Sequence, residues 1–357
     1  MNHVISRWFK KYFSDPEGVI LAILLILGFA IVVFMGNMLA PVLAAVIIAY
    51  MLEGLVSWLE HHNVSRLPAV LIVFLPFMAF LIFLLLGLFP LLSGQVSQLV
   101  SELPKMIATG KESLLRLPEL YPNFITPAQV EELMATITAA VKTLGQNVLS
   151  LSLASITGLF TLLVYLILVP VLVFFFLKDK SKLLGWLNTS LPRERALITR
   201  VWVEMNQQIG NYVRGKFVEI LIVGIVTYIV FAIMGINFSV LLGALVGLSV
   251  IIPYIGAVVV TLPVALIGYF QWGWSSELAY IMVAYGVIQA LDGNVLVPWL
   301  FSEAVNLHPI AIIVAVLVFG GMWGFWGVFF AIPLATLVKA VVHAWPRSET
   351  TEGSSKT

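Results

Sequence analysis

The chain has 357 residues, 61% of them hydrophobic and only 10% charged, with a formal net charge of +1 and no cysteine. A soluble domain carries about 25% charged residues, so this composition belongs to a polytopic all-α membrane protein with roughly eight spans of ~20 residues each. The near-neutral charge argues against a nucleic-acid partner, and the lack of cysteine excludes disulfides and thiolate metal sites.

Arg7, Lys10 and Lys11 precede an apolar run from Val19 to Met35, which is expected to remain as an uncleaved first span. That span covers 18–36. A tight Gly36-Asn37 turn is predicted to join it to a second span, 39–59, with Pro41 near the new helix start. The third span covers 68–92 and completes an N-terminal transmembrane segment, 1–92.

Residues 93–151 read as an extracytoplasmic helical insertion. Within it, Thr126-Pro127-Ala128-Gln129 has the form of a capping box, with Thr as N-cap and Gln closing back on it. Val130, Met134, Ile137, Val141, Leu144, Val148 and Leu151 then recur at alternating spacings of four and three, a heptad seam. Such a seam packs either on its own subunit's core or against a second subunit.

A fourth span, 152–177, ends in Phe174-Phe175-Phe176-Leu177-Lys178-Asp179. The stretch 178–216 is basic and amphipathic, with Ile198, Trp202, Met205, Ile209 and Tyr212 on one face. It suits either a membrane-interface helix or a connector packed on neighbouring spans. The C-terminal transmembrane region, 217–345, divides into apolar runs at 217–235, 238–270, 278–298 and 309–343. Two of these exceed one simple span, and sequence leaves open whether each is a single helix or a hairpin. The tail 346–357 is polar and expected to be disordered.

Orientation follows the Lys/Arg bias. Eight basic residues fall within 178–216, whereas 93–151 holds four against five acids. The bias places both termini on the cytoplasmic side, with 93–151 translocated.

Between Lys216 and Lys339 no Lys or Arg occurs over 122 residues, and only Glu219, Glu277, Asp292 and Glu303 carry charge. A carboxylate at membrane depth costs about 2.5–3.5 kcal/mol on insertion scales and is usually functional. Asp292 lies in Gln289-Ala290-Leu291-Asp292-Gly293-Asn294, followed by Pro298. Pro253-Tyr254-Ile255-Gly256 forms a second interruption. Proline removes a backbone donor and glycine permits unwinding, and discontinuous helices expose carbonyls and helix ends to substrate in many transporters. Asp292, Asn294, Gln289, Gly293, Pro298, Pro253, Tyr254 and Gly256 are therefore the candidate substrate or ion pathway. Two ordinary proline kinks, with Asp292 at a watery span end, are the competing reading. Glu53 and His308 are candidates for a proton or ion relay, against an interfacial carboxylate and a helix cap respectively. For Glu219 an interfacial ion pair with the bases just before it is expected. Gly320, Gly321, Gly324 and Gly327 are read as a close-packing face.

Enzyme signatures are missing. The chain has no phosphate-binding GxxxxGK[ST] loop, no HExxH and no Gly-x-Ser-x-Gly elbow. No cofactor and no metal site is predicted.

At several spaced pieces the chain resembles the autoinducer-2 exporter (AI-2E) family. They are Pro41 with Ala49-Tyr50-Met51-Leu52; Phe175-Phe176-Leu177-Lys178-Asp179; Tyr212-Val213-Arg214-Gly215; Pro253-Tyr254-Ile255-Gly256; Asp292-Gly293-Asn294 with Pro298; Asn306-Leu307-His308-Pro309; and Gly324 to Gly327 followed by Ala331-Ile332-Pro333. Together these cover nearly the whole chain. Asp292 stands where the family commonly has Glu, and Ala257 where it often has Pro. The resemblance implies an inner-membrane exporter of small molecules, autoinducer-2 among them, with some relatives resembling sodium/proton antiporters. It also implies a homo-oligomer, such as a pentamer. Export of a small polar metabolite leads; sodium/proton antiport through Asp292 and a non-transporting membrane scaffold or regulator are the alternatives.

Overall fold

A computed structural model describes residues 16–115, 126–132, 134–136, 138, 139, 143, 156–190, 196–301 and 307–344. Among them every regular element is a helix. Six helices are long and apolar enough to cross a membrane, within Met38–His61, Arg66–Lys111, Val201–Ile233, Ile255–Trp272, Ser276–Phe301 and Pro309–Phe329. Shorter apolar helices lie at Val164–Lys178, Ser239–Ser249 and Ala331–Val342. The protein is an all-α polytopic membrane protein.

Helix α1, Pro16–His61, runs 46 residues without interruption, about 69 Å at 1.5 Å per residue. The turn expected at Gly36-Asn37 does not form. A Cβ placed on Gly36 would lie 2.8 Å from the indole nitrogen of Trp323, so this glycine makes room for a ring instead of bending the chain. Pro41 is accommodated inside the helix. Membrane helices tolerate such residues because neighbouring groups re-satisfy the freed backbone.

A turn at 62–65, with Asn63 at φ 64°, leads into α2, Arg66–Phe83. A π-helical turn, Leu84–Leu88, passes directly into α3, Phe89–Leu115. The third span therefore does not stop at 92; its helix continues into the predicted insertion. Along it Leu92, Val96, Leu99 and Met106 pack on the C-terminal core, and Gln95 Oε1 accepts from Leu241 N at 2.8 Å. The capping box forms as expected: Thr126 N donates to Gln129 Oε1 at 3.0 Å and Gln129 N to Thr126 Oγ1 at 3.4 Å. Val130 and Met134 are buried within the chain itself. The other seam positions, Ile137, Val141, Leu144, Val148 and Leu151, lie outside the described residues.

Helix α4, Ile156–Lys178, places Val173 and Leu177 against Ala45, Ala49, Leu52 and Val56 of α1 and Ala69, Val70 and Val73 of α2. The α1 residues follow the four-three-four spacing of one helix face. After the short α5, Lys180–Ser190, the central α6 spans Ala196–Ile233. The second half of the expected basic loop, from Ala196, and the next span are thus one 38-residue helix. Its buried face carries Val201, Met205, Tyr212, Lys216, Glu219, Val223 and Thr227.

The run 238–270 is not a single helix. Helix α7, Ser239–Ser249, is followed by a turn and by α8, Ile255–Trp272, with Tyr254 at φ 64°. A Cβ on Gly256 would stand 1.8 Å from Ser249 O, so the chain folds back on itself there. Eleven residues of α7 span about 16 Å, half the ~30 Å hydrocarbon layer. Helix α7 lies close on α6, where a Cβ on Gly247 would meet Gly224 Cα at 2.8 Å.

Helix α9, Ser276–Leu291, continues through a π turn, Asp292–Leu296, into α10, Val297–Phe301. Helix α11, Pro309–Phe329, bends at Gly324 (φ 58°, ψ −135°) and leads to α12, Ala331–Ala344. L-residues avoid that backbone region. A Cβ on Gly327 would meet Phe319 O at 1.8 Å and one on Gly320 would meet Val328 Cγ2 at 2.8 Å. The 309–343 run is therefore also folded back; Gly324 serves the turn, Gly320 and Gly327 the contact between its two arms, and a Cβ on Gly321 would meet nothing. Ile252, in the first turn, packs with Ala315, Val316 and Ala331 of this second fold-back.

Candidate functional site

The buried stripe of α6 is uncharged except midway, where Lys216 and Glu219 stand. Their side chains are 5% and 2% exposed, and Lys216 Nζ lies 2.6 Å from Glu219 Oε2. The same ammonium donates to Val250 O at 2.9 Å, in the turn after α7. It also sits 5.2 Å from the centroid of the Phe301 ring on α10, a cation–π contact. Gly215 allows that ring in, since a Cβ there would meet Phe301 Cε1 at 2.8 Å. Tyr212, one turn earlier, lies tilted against Phe301 with ring centroids 5.8 Å apart and donates its hydroxyl to Phe329 O at 3.2 Å. Glu219 thus has its expected ion pair, buried inside the protein.

Asp292 opens the π turn and is 8% exposed. Its Oδ1 is buried with no hydrogen-bond partner, as is Gln289 Nε2 one turn earlier. Asp292 is within Coulombic reach of both Lys216 and Glu219. One cation and two carboxylates therefore share a buried locus where α6, the α7–α8 turn and the α9–α10 junction converge.

The interruption around Asp292 is a widened helix and not an unwound one. Pro298 has no N–H to offer Asn294 O, and Val297 N bonds back to Asp292 O five residues earlier. Such π bulges occur often at functional sites. Asn294 is exposed and its Nδ2 donates to Ala290 O at 2.8 Å; Gly293 and Pro298 are exposed too. Of the predicted pathway residues on this element, Asp292 and Gln289 point their polar atoms into the protein. On the other interruption, Gly256 makes the fold-back possible and Pro253 is half-buried, but Tyr254 is 59% exposed. That turn reaches the charged cluster through the Val250 carbonyl.

Glu53 and His308 are occupied elsewhere. Glu53 Oε2 is 2.7 Å from Arg66 Nη2 and its Oε1 is 2.8 Å from Lys180 Nζ. Arg66 also reaches Glu60 at 2.8 Å and donates from Nε to Leu177 O at 2.9 Å, so this network ties α1, α2 and α4 together. His308 caps α11, its Nδ1 accepting from Ile310 N at 3.3 Å. Among the described residues no three metal-ligating side chains are grouped.

Lys216 and Glu219 were legible as more than an interfacial pair. They fall on the same four-three-four face as Tyr212 and Val223, and Lys216 is the last base before the 122-residue gap.

Residues 21–347 match the family described as AI-2E family transporter. Over 346 residues, 97% of this chain and 98% of the relative, the chain is 46% identical to the Escherichia coli K12 protein named as a permease, PerM. It is 26% identical to a Bacillus subtilis protein named as the transport protein YueF, covering 87% of this chain and 84% of that one. A Thermotoga maritima protein named as a transport protein is 19% identical over 93% of this chain and 95% of its own length.

Proposed function

The chain belongs to the AI-2E transporter family and is a membrane transporter, and we propose that it exports a small polar metabolite across the bacterial inner membrane, coupled to a cation carried at Asp292. The observation that carries this reading is the Asp292 carboxylate: buried, with Oδ1 unpartnered, in a widened helix beside the Lys216–Glu219 pair. An isolated buried carboxylate is strongly penalised unless a positive charge meets it, and a cation drawn from the transport pathway is such a charge. Gln289 Nε2 supplies an adjacent donor suited to a hydroxyl or carbonyl of the solute. Autoinducer-2, after which the family is named, is the leading candidate. The Lys/Arg bias supports cytoplasmic termini, and the family resemblance supports a homo-oligomer such as a pentamer. Export needs no phosphate-binding loop if ion gradients drive it.

Sodium/proton antiport is the second reading. What favours it is charge: one cation and two carboxylates leave the cluster one positive charge short, the requirement for exchanging one proton against one sodium ion. Inside-out vesicles containing the full chain test both. Autoinducer-2 flux supports export, and sodium-driven recovery of a pH gradient supports antiport. Asp292→Asn is expected to retain expression and oligomeric state while abolishing or strongly slowing either flux. A fully active Asp292→Asn protein would rule the carboxylate out of transport.

A further inference from the structure

Lys216 has a double engagement that a purely structural ion pair does not require. Its ammonium holds Glu219 and, through Val250 O, the turn between α7 and α8. A lysine is a compact charge on a flexible four-carbon stem, and Asp292 is within its electrostatic reach. We propose that Lys216 is a tethered counter-cation competing with the transported ion: an ion on Asp292 leaves Lys216 with Glu219 and Val250, and ion release draws Lys216 towards Asp292, freeing the turn. This rests on the reading of Asp292 as the cation site and adds the element that couples its occupancy to the fold-back.

The physical basis is charge bookkeeping in a low-dielectric setting. A cation-free cluster holds one positive and two negative charges, and sharing Lys216 between both carboxylates is the arrangement that leaves neither alone. Binding one proton or one sodium ion at Asp292 makes the cluster neutral and leaves Lys216 settled on Glu219, in the contact that measures 2.6 Å here. No covalent bond is made; the displaced ion, or the proton from the Asp292 carboxyl, leaves to the aqueous phase. Among the described residues, the other ionisable side chains on the elements around the cluster include Tyr212, Arg214 and Tyr228 on α6, Tyr50 and Glu53 on α1, Glu277, Tyr280 and Tyr285 on α9, and Lys339 on α12; α7 and α10 bring none, and Tyr254 follows the α7 end. Glu53 is held by Arg66 and Lys180.

Counting charges gives expectations that separate a competitor from a mere brace. Glu219→Gln leaves Lys216 and Asp292 to neutralise each other, so the exchangeable cation is lost although Asp292 is intact. The double variant Lys216→Met/Glu219→Gln leaves Asp292 alone, and cation binding returns. Lys216→Met alone leaves two carboxylates and room for two cations. A purely structural pair predicts instead that cation binding at Asp292 survives Glu219→Gln, because the pair then sets fold stability and not the charge that the ion meets.

The test uses the purified full chain in lipid nanodiscs with two probes. Radiolabelled sodium in alkaline buffer reads sodium binding, and the infrared C=O stretch of a protonated carboxylic acid, followed with pH, reads a bound proton. The expected result is one cation per wild-type chain, lost in Asp292→Asn, weakened at least ~10-fold in Glu219→Gln, and regained in the double variant. Sodium that erases the carboxylic-acid band identifies the two ions as competitors for one site; a band indifferent to sodium identifies a proton site. If Glu219→Gln does not yield folded protein, Lys216→Met should bind two cations and the double variant one. No sodium binding and no titrating carboxylic acid in the wild type would overturn the cation-site reading itself. A wild-type signal lost in Asp292→Asn but kept in Glu219→Gln, or not regained in the double variant, would overturn the Lys216 competition alone.

Discussion

Replacing Gly256 by alanine should be among the most damaging single-methyl additions to this protein. The added Cβ would lie 1.8 Å from Ser249 O, 2.6 Å from Ser249 C and 3.1 Å from Ser249 Cα. A carbon–oxygen contact is comfortable at about 3.3–3.6 Å, so the two strands of the turn must part by roughly 1.5 Å. The obstacle is backbone, which cannot swing aside as a side chain does. Overpacking a core by one methyl typically costs about 1–3 kcal/mol, and this substitution should reach or exceed the upper figure. Separation would also pull Val250 O, six residues back, away from Lys216 Nζ, with which it bonds at 2.9 Å. Gly286→Ala on α9 is the matched control, because a Cβ there meets nothing within 4 Å. Relieved of the entropic cost of a helical glycine, that variant should be unchanged or stabilised by up to about 1 kcal/mol. Both are measured by reversible unfolding of the full chain in mixed micelles, with vesicle flux alongside. A Gly256→Ala protein as stable as the Gly286→Ala control, with normal flux, would refute the tight fold-back at 249–256.

Glu53→Gln should weaken the junction of α1, α2 and α4 by about 2–4 kcal/mol, since it strips Arg66 and Lys180 of a shared, largely buried partner; vesicle flux per folded molecule should be preserved, and a selective loss of flux would restore Glu53 to the pathway. Tyr212→Phe removes one hydrogen bond, to Phe329 O at 3.2 Å, and should cost about 1–2 kcal/mol in the same unfolding assay. Reporter fusions after Tyr121 and Asp179 should report extracytoplasmic and cytoplasmic locations respectively, and a cytoplasmic signal after Tyr121 would overturn the proposed orientation.

Sequence alone determined the class and much of the local structure. Membrane insertion depends on composition summed over ~20 residues, so a chain with 10% charge declares itself without tertiary information. The Thr126–Gln129 box and the interruption at Pro253 were legible for a similar reason: the atoms that make them are neighbours in sequence. The Gly36-Asn37 turn failed because glycine has two uses, bending and close packing, and only the position of Trp323, nearly 300 residues away, selects between them. The same ambiguity hid the bend at Gly324, which looks in sequence like any small-residue face. The charged locus was half legible. Asp292 stood out as an acid in an apolar run, and Lys216 and Glu219 lie on a buried helical period. That Val250 and Phe301 would meet Lys216 depends on how α7 and α10 pack on α6. Contacts across 34 and 85 residues of chain follow from side-chain fit between helices, which no local pattern encodes.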